Sequence, residues 1–367
     1  MLFFVRLLLF LPMLSACGGI TAPAEKAGDH VLLAPRYAKG FEIRQRGDVR
    51  QVVLHTPGQS SPRVVELPGQ TQRVACLSTT HLAMFEAIHA LDVVKAAGFA
   101  DLVTDSSLSA AIRKRGIRNL TASDDLDREI LLSVQPDILL TYPFQATDEA
   151  WCSSKGIAVL PVGEYLEEHP LGRAEWILLA GELAGRREEA ERVFQAIEQR
   201  YLATRDQVRK SLLSTPPARV LFTSYEAGTW YAPPGNSAVA TLLQDAGFHY
   251  LFEDQHRGGN IELSLEELLG LSAQVSWWGA LVRLPQDPDA EEFTQGHSAL
   301  GRMPAIAAGH AFYCNTARTE YFGKALLEPD VLLSDLAAIR LGKLPEEHSP
   351  AYFHRITEKN KARRSPV

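Results

Sequence analysis

The chain has 367 residues, 46% of them hydrophobic, and a formal net charge of −7. That length can bury one large core or two medium ones. A chain this acidic argues against nucleic acid as a partner, the basic tail residues Lys359, Lys361, Arg363 and Arg364 being expected to form a solvated terminus, and no phosphate-cradling glycine loop of the GxxxxGK[ST] or GxGxxG kind is present.

Arg6 precedes an apolar run over residues 7–14, followed by Leu14-Ser15-Ala16-Cys17-Gly18. A short apolar core ending in small residues predicts a secretory signal peptide over residues 1–17, too short to span a bilayer. Leu-Ser-Ala-Cys also resembles a bacterial lipobox, which makes Cys17 the lipidated first residue of the mature protein. Each buried acyl CH₂ would contribute ~0.8 kcal/mol to anchoring. Residues 18–36 lack an apolar period and are expected to be a tether. Without Cys17 three cysteines remain, Cys76, Cys152 and Cys314. They allow one disulfide of undetermined pairing, and their spacing does not fit a CxxC metal site.

Residues 41–46 and 49–54 flank Gly47-Asp48 and predict a hairpin. A further strand at residues 63–67 completes an N-terminal segment, 37–71. Strand and helix patterns then alternate through a first lobe, residues 72–185, as in a parallel α/β sheet. Residues 170–185 read as one helix. Residues 186–213 carry apolar side chains at Val193, Phe194, Ile197, Tyr201, Val208 and Leu212, the period of a helix about 28 residues and roughly 40 Å long. A second lobe, residues 214–345, repeats the strand and helix grammar, with a strand at 273–279 ending in Trp277-Trp278-Gly279. Residues 346–367 are expected to be a tail. The fold class is therefore α/β, with two Rossmann-like lobes joined by one long helix.

Residues 129–140 and 266–277 align without a gap, with Glu129 over Glu266, a Leu-Leu pair in common and the apolar positions in step. The repeat marks two related lobes, each with an acid at the start of a helix that feeds a buried strand. An acid there is favourable against the helix dipole whatever else it does.

These elements resemble the class III substrate-binding proteins of ABC importers, the ferric-siderophore and cobalamin group. The resemblance covers residues 72–345. It rests on Arg73-Val-Ala-Cys-Leu-Ser78, on Glu129 with Gln135-Pro136-Asp137, on the helix after Gly185, and on Ser264-Leu265-Glu266. Tyr37-Ala-Lys-Gly-Phe41 and the run from Val162 through Gly-Glu-Tyr-Leu-Glu-Glu-His-Pro-Leu-Gly-Arg-Ala-Glu to Trp176 are similar to a lipoprotein branch of that group. The second lobe departs from the pattern at Ser272-Ala273-Gln274 and at residues 254–262 and 279–297. The resemblance implies an exported, membrane-anchored, monomeric binding protein. It would carry no intrinsic cofactor, bind a ferric siderophore or cobalamin in a cleft between the two lobes, and deliver it to a permease dimer with its ATPase. It also implies that Glu129 and Glu266 dock the permease.

Ligands of open α/β sheets bind beyond the carboxyl ends of the strands. This selects Ser78, Thr79, Thr80, His81, Tyr142 and Phe144 in the first lobe. In the second it selects Tyr225, Trp230, Tyr231, Trp277, Trp278, Arg283, Arg318 and Tyr321. Aromatic walls suit a large planar ligand, and Arg283 and Arg318 suit carboxylates. No histidine pair has the spacing of a bare-metal site. Two other readings stay open: a secreted lipoprotein hydrolase using Ser237, and a surface lipoprotein that captures haem or a corrinoid without an importer.

Overall fold

A computed structural model describes residues 30–356, apart from 70, 123–124, 145–146, 214, 217 and 343–348. The signal peptide, Cys17 and residues 18–29 of the expected tether lie outside the described residues, as do 357–367 of the tail. Among the described residues no helix is long and apolar enough to cross a membrane.

Four antiparallel strands open the chain: β1 (His30–Leu33), β2 (Phe41–Arg46), β3 (Val49–Leu54) and β4 (Arg63–Glu66), in that spatial order. The β2–β3 hairpin turns at Gly47, whose φ of +58° suits glycine. β1 corrects the expected tether, which is structured from His30 onward. Its apolar Leu33 is buried against the sheet, and β1 pairs along β2.

The first lobe is a five-stranded parallel sheet. It contains β5 (Val74–Cys76), β6 (Val94–Ala97), β7 (Arg118–Asn119), β10 (Ile138–Thr141) and β11 (Ala158–Pro161), ordered β11-β10-β5-β6-β7. A two-strand ribbon, β8 (Thr121–Ala122) with β9 (Asp125–Leu126), lies off it. The helices between are α1 (Thr79–Ala87), α2 (Ser106–Arg115), α3 (Arg128–Val134) and α4 (Glu149–Ser154). Ser78, Asp105, Asp127 and Asp148 each cap the helix that follows by accepting a backbone N–H. The expected single helix at 170–185 is two, α5 (Pro170–Glu175) and α6 (Ile177–Ala184), meeting at buried Trp176.

The connecting helix is α7 (Arg187–Ser211), 25 residues long. It buries Phe194, Ile197, Tyr201 and Val208, and packs on α6 of the first lobe and α12 (Pro329–Leu341) of the second. Each buried Phe or Ile side chain contributes about 1.5–3 kcal/mol. Tyr201 donates to Asp245 at 2.8 Å and Arg200 pairs with Asp330 at 2.5 Å, so its far end is fixed to the second lobe.

The second lobe has a parallel core of β12 (Arg219–Glu226), β14 (His249–Tyr250), β16 (Trp277–Val282) and β17 (Ala311–Asn315). Antiparallel strands close both edges, β13 (Thr229–Ala232) with β15 (Ile261–Leu263) on one side and β18 (His354–Arg355) on the other. Its helices before α12 are α8 (Ala238–Asp245), α9 (Leu265–Leu271), α10 (Ala290–Phe293) and α11 (Pro304–Ala307). β18 corrects the expected boundary at 345. The buried Asp335 carboxylate accepts the N–H groups of Ala351, Tyr352 and Phe353 and draws residues 351–355 into the sheet. Cys76, Cys152 and Cys314 are all free and buried, and burial pushes their thiols up.

Candidate ligand-binding cleft

The carboxyl ends of β5, β10, β16 and β17 face a cavity of about 1550 Å³ between the lobes. Pockets for drug-sized molecules run to roughly 1,000 Å³, so this one suits a larger ligand. Ser78, Thr79 and Thr80 line it where β5 turns into α1. Phe99 and Leu102 follow β6, Tyr142 and Phe144 follow β10, and Tyr165 follows β11. The opposite wall carries Pro233, Asn236, Ser237, Arg257, Leu281, Arg283, Tyr321 and Phe322.

The first-lobe wall is aromatic and exposed. Tyr142 and Phe144 stack at 5.1 Å with planes 13° apart, and Tyr165 meets Phe144 edge-on at 5.5 Å. Phe144 is 72% exposed and Phe322, across the cleft, 62%. Apolar rings left this open mark a binding surface more often than a solvated one.

The lobes already touch. Thr79 Oγ1 donates to the Phe322 carbonyl at 2.6 Å, and Thr241 Oγ1 donates to the Glu168 carbonyl at 2.6 Å. Glu320 Oε1 accepts from Thr104 N, Thr104 Oγ1 and Asp105 N at 2.5, 2.5 and 2.7 Å.

Two sequence motifs explain each other here. Glu175 accepts the backbone N–H groups of Arg36, Tyr37 and Ala38, and Glu167 accepts those of Lys39 and Gly40 together with Trp176 Nε1. Gly40 lies so close to the indole that a Cβ would sit 2.8 Å from Trp176 Cζ2. The run from Val162 to Trp176 therefore holds the Tyr37–Phe41 strap on one side. On its other side it sends Glu164, Tyr165 and Arg173 into the cleft.

Several expected site residues fall elsewhere. Trp277 and Trp278 begin β16 rather than end it, because Gly279 lies within the strand where the Phe312 and Phe222 rings press on it. Both tryptophans are core: Trp278 donates to Thr223 at 3.0 Å and Trp277 stacks on His310 at 4.3 Å. Trp230 is buried between Tyr225 and Trp278. Tyr225, Trp230 and Tyr231 belong to the β12–β13 hairpin, and the wall comes from the turn after it. Arg318 points away, donating to the Pro285 carbonyl at 3.3 Å and lying 3.7 Å from Asp287. His81 is buried beneath Tyr142, ring centroids 5.6 Å apart, and burial pushes its pKa down to about 3, so it is neutral at ordinary pH. Ser78, Thr79, Thr80, Tyr142, Phe144, Arg283 and Tyr321 do line the cleft.

Sequence reasoning missed Glu164, Tyr165, Arg173, Arg257 and Phe322. The first three stand in the 162–176 motif, on a short 3₁₀ turn (Glu164–Leu166) and α5, and the motif itself was the available signal. Glu129 and Glu266 are both exposed in the first turn of their helices, α3 and α9. The neighbouring Glu267 completes the capping box with Ser264, so capping of α9 does not depend on Glu266.

Comparison with known proteins agrees with this architecture. Residues 74–317 match the family model described as periplasmic binding protein. An uncharacterised lipoprotein of Methanocaldococcus jannaschii is 23% identical over 286 residues, 76% of this chain, and the chain spans 66% of that relative's length. A periplasmic haem-binding protein from Pseudomonas aeruginosa superposes with a TM-score of 0.63 at 17% identity, covering 78% of this chain and 98% of that one. A protein of an ABC-type Fe³⁺-hydroxamate transport system from Saccharomonospora viridis gives 0.54 at 21% identity, covering 74% and 93%. The chain belongs to the periplasmic binding protein family, and its fold is the two-lobed one of these solved structures.

Proposed function

We propose that the protein is an exported lipoprotein, anchored through Cys17, that captures a metal chelate in the cleft and delivers it to an ABC permease dimer. The ligand is a corrinoid, a ferric siderophore or haem. The observation that carries this is the large cleft faced by open aromatic rings, Phe144, Tyr165 and Phe322. Such rings cover the flat or greasy face of a chelate, each adding about 0.5–1.5 kcal/mol beyond its buried area. Arg257 and Arg283, exposed on the facing wall, suit a ligand with acceptor groups at its rim.

Glu129 and Glu266 then dock the permease, one per lobe. A two-lobed protein meeting a two-fold partner needs one matched contact on each lobe, and exposed carboxylates set encounter and register. Location outside the cytoplasm is supported by the signal-like N-terminus, the family and the lipoprotein relative. A hydrolase is disfavoured by Ser237, which caps α8 through Ala240 N and donates to the Pro234 carbonyl.

The visible absorption spectrum of protein purified with its native ligand tests the reading. A corrinoid, haem or ferric-chelate band supports it. Failure of hemin, dicyanocobinamide and ferric hydroxamates alike to bind in titration overturns it.

A further inference from the structure

The floor of the cleft holds a charged pair that the rest of the protein leaves incomplete. Glu164 is only 2% exposed yet lines the cleft, and its Oε2 has no hydrogen-bond partner. Its Oε1 lies 4.0 Å from Arg173 Nη2, too far for a hydrogen bond, and Arg173 Nε is also buried without a partner. Thr80 and nearby backbone N–H groups meet part of the carboxylate, but buried polar groups are normally fully paired, and one unpaired carboxylate oxygen near an unpaired guanidinium nitrogen is costly unless something arrives to complete both.

The pair is held in place from behind. Glu164 stands one turn before Glu167 and Arg173 two residues before Glu175, and those two carboxylates grip the backbone of residues 36–40. Thr80, Tyr142, Tyr165 and Tyr321 line the cleft around the pair. Both acid and base therefore sit on a rigid frame, as a selective site requires.

We infer that the Glu164–Arg173 pair reads a carboxamide on the ligand, the guanidinium donating to its C=O and the carboxylate accepting from its N–H. The inference rests on the chelate reading of the cleft and adds the ligand's rim chemistry to it. A carboxamide offers one acceptor and one donor side by side, which matches one orphan donor beside one orphan acceptor. A carboxylate offers acceptors only, so it can meet Arg173 but is repelled by Glu164 wherever that carboxyl is ionised. Burial raises the Glu164 carboxyl above its ordinary range, opposed by the Arg173 charge and by hydrogen bonds from Thr80 and nearby backbone N–H groups. Sites built to hydrogen-bond a polar group discriminate sharply against analogues that lack it, because their own buried groups are then left unpaired. Carboxamides occur around corrinoid rings and in the backbones of some siderophores, and the two sources are separable by probe.

The test compares one ring with two rims: dicyanocobyrinic acid heptaamide against dicyanocobyrinic acid, with ferrioxamine B as the siderophore amide and hemin as a carboxylate chelate. Wild type should bind an amide probe at least roughly ten-fold more tightly than its carboxylate counterpart. Glu164→Gln, whose side chain can donate as well as accept, should bring the heptaamide-to-acid ratio close to one. If the amide comes from a siderophore, it should weaken ferrioxamine B by a similar factor. Arg173→Lys, which keeps the charge but removes Nε, should weaken the preferred amide probe, and near-UV circular dichroism checks that both variants keep their packing. Equal or tighter binding of the acid by wild type, or an unchanged preference in Glu164→Gln, overturns the inference while the chelate reading stands. Binding of none of the four probes by folded wild type overturns the chelate reading, and the inference with it.

Discussion

The two walls of the cleft are built from the same strand-end logic and end up chemically different. The first-lobe wall stacks Tyr142, Phe144 and Tyr165 above a buried Glu164–Arg173 floor. The second-lobe wall offers prolines, Asn236 and two exposed arginines, Arg257 and Arg283, with Phe322 at its edge. The sheets behind them differ in the same sense. The five-stranded sheet of the first lobe is wholly parallel, and short loops at its strand ends deliver side chains directly into the cleft. The second is closed at both edges by antiparallel strands, and its tryptophans Trp230, Trp277 and Trp278 go into the core. Two lobes of similar grammar can thus divide the work, one presenting flat apolar surface and the other presenting charge.

The largest effect expected from this division lies outside the cleft, where the lobes are alike. Glu129→Arg with Glu266→Arg should abolish uptake in cells while ligand affinity stays within error of wild type and stability falls only by the small helix-terminal contribution of each charge. Ordinary transport by the double variant, or lost ligand binding, would make the matched acids helix-terminal charges worth only ~0.3–1 kcal/mol each.

Within the cleft the walls should separate. Tyr142→Ala, Phe144→Ala or Tyr165→Ala should each weaken the ligand by about 1–3 kcal/mol, read by titration. Arg257→Ala or Arg283→Ala, exposed charges, should cost ~1 kcal/mol or less, and that cost should shrink as salt rises. Equal losses on both walls would break the comparison.

The clamps that hold the chain ends can be compared in the same way. Glu175→Gln sets an amide N–H₂ against the N–H donors of residues 36–38, and Asp335→Asn does the same to residues 351–353. Each should destabilise by about 1–3 kcal/mol in denaturant titration. The Glu175 variant should also disturb ligand binding, because its strap backs the cleft floor, and the Asp335 variant should not.

A smaller effect belongs to the first lobe alone. His81 has a pKa of about 3 when folded against 6.5 when free. Between those values the unfolded chain binds one proton more, so His81 costs no stability above pH 6.5 and progressively more as pH falls toward 3. The slope cannot exceed about 1.4 kcal/mol per pH unit. Because neither ring nitrogen has a partner, His81→Leu should leave neutral stability unimpaired and flatten that acid limb. An identical pH profile in the variant would show that His81 is not buried as described. The smallest change is expected in overall shape. With α7 continuous and Glu320, Thr79 and Thr241 already bridging the lobes, ligand should scarcely alter the radius of gyration in solution scattering.

The sequence alone determined the alternating α/β lobes, the hairpin around Gly47, the connecting helix and the matched acids. All of these rest on local signals: apolar period, turn residues, caps and an internal repeat. It also marked Ser78–Thr80, Tyr142, Phe144, Arg283 and Tyr321, because loops after parallel strands have a known side of the sheet. Tertiary structure decided which aromatics face the ligand. Trp277 and Trp278 look like a strand end because Gly279 follows them, and only the Phe312 and Phe222 rings pressing on that glycine show the strand running on to Val282. Tertiary structure likewise joined Tyr37–Phe41 to the distant 162–176 motif. A carboxylate that accepts backbone N–H groups more than a hundred residues away leaves no periodic trace, since its partners carry no distinctive side chain. The incomplete Glu164–Arg173 pair is of the same kind: whether a buried charge has a partner is a property of three-dimensional neighbours, and sequence spacing does not encode it.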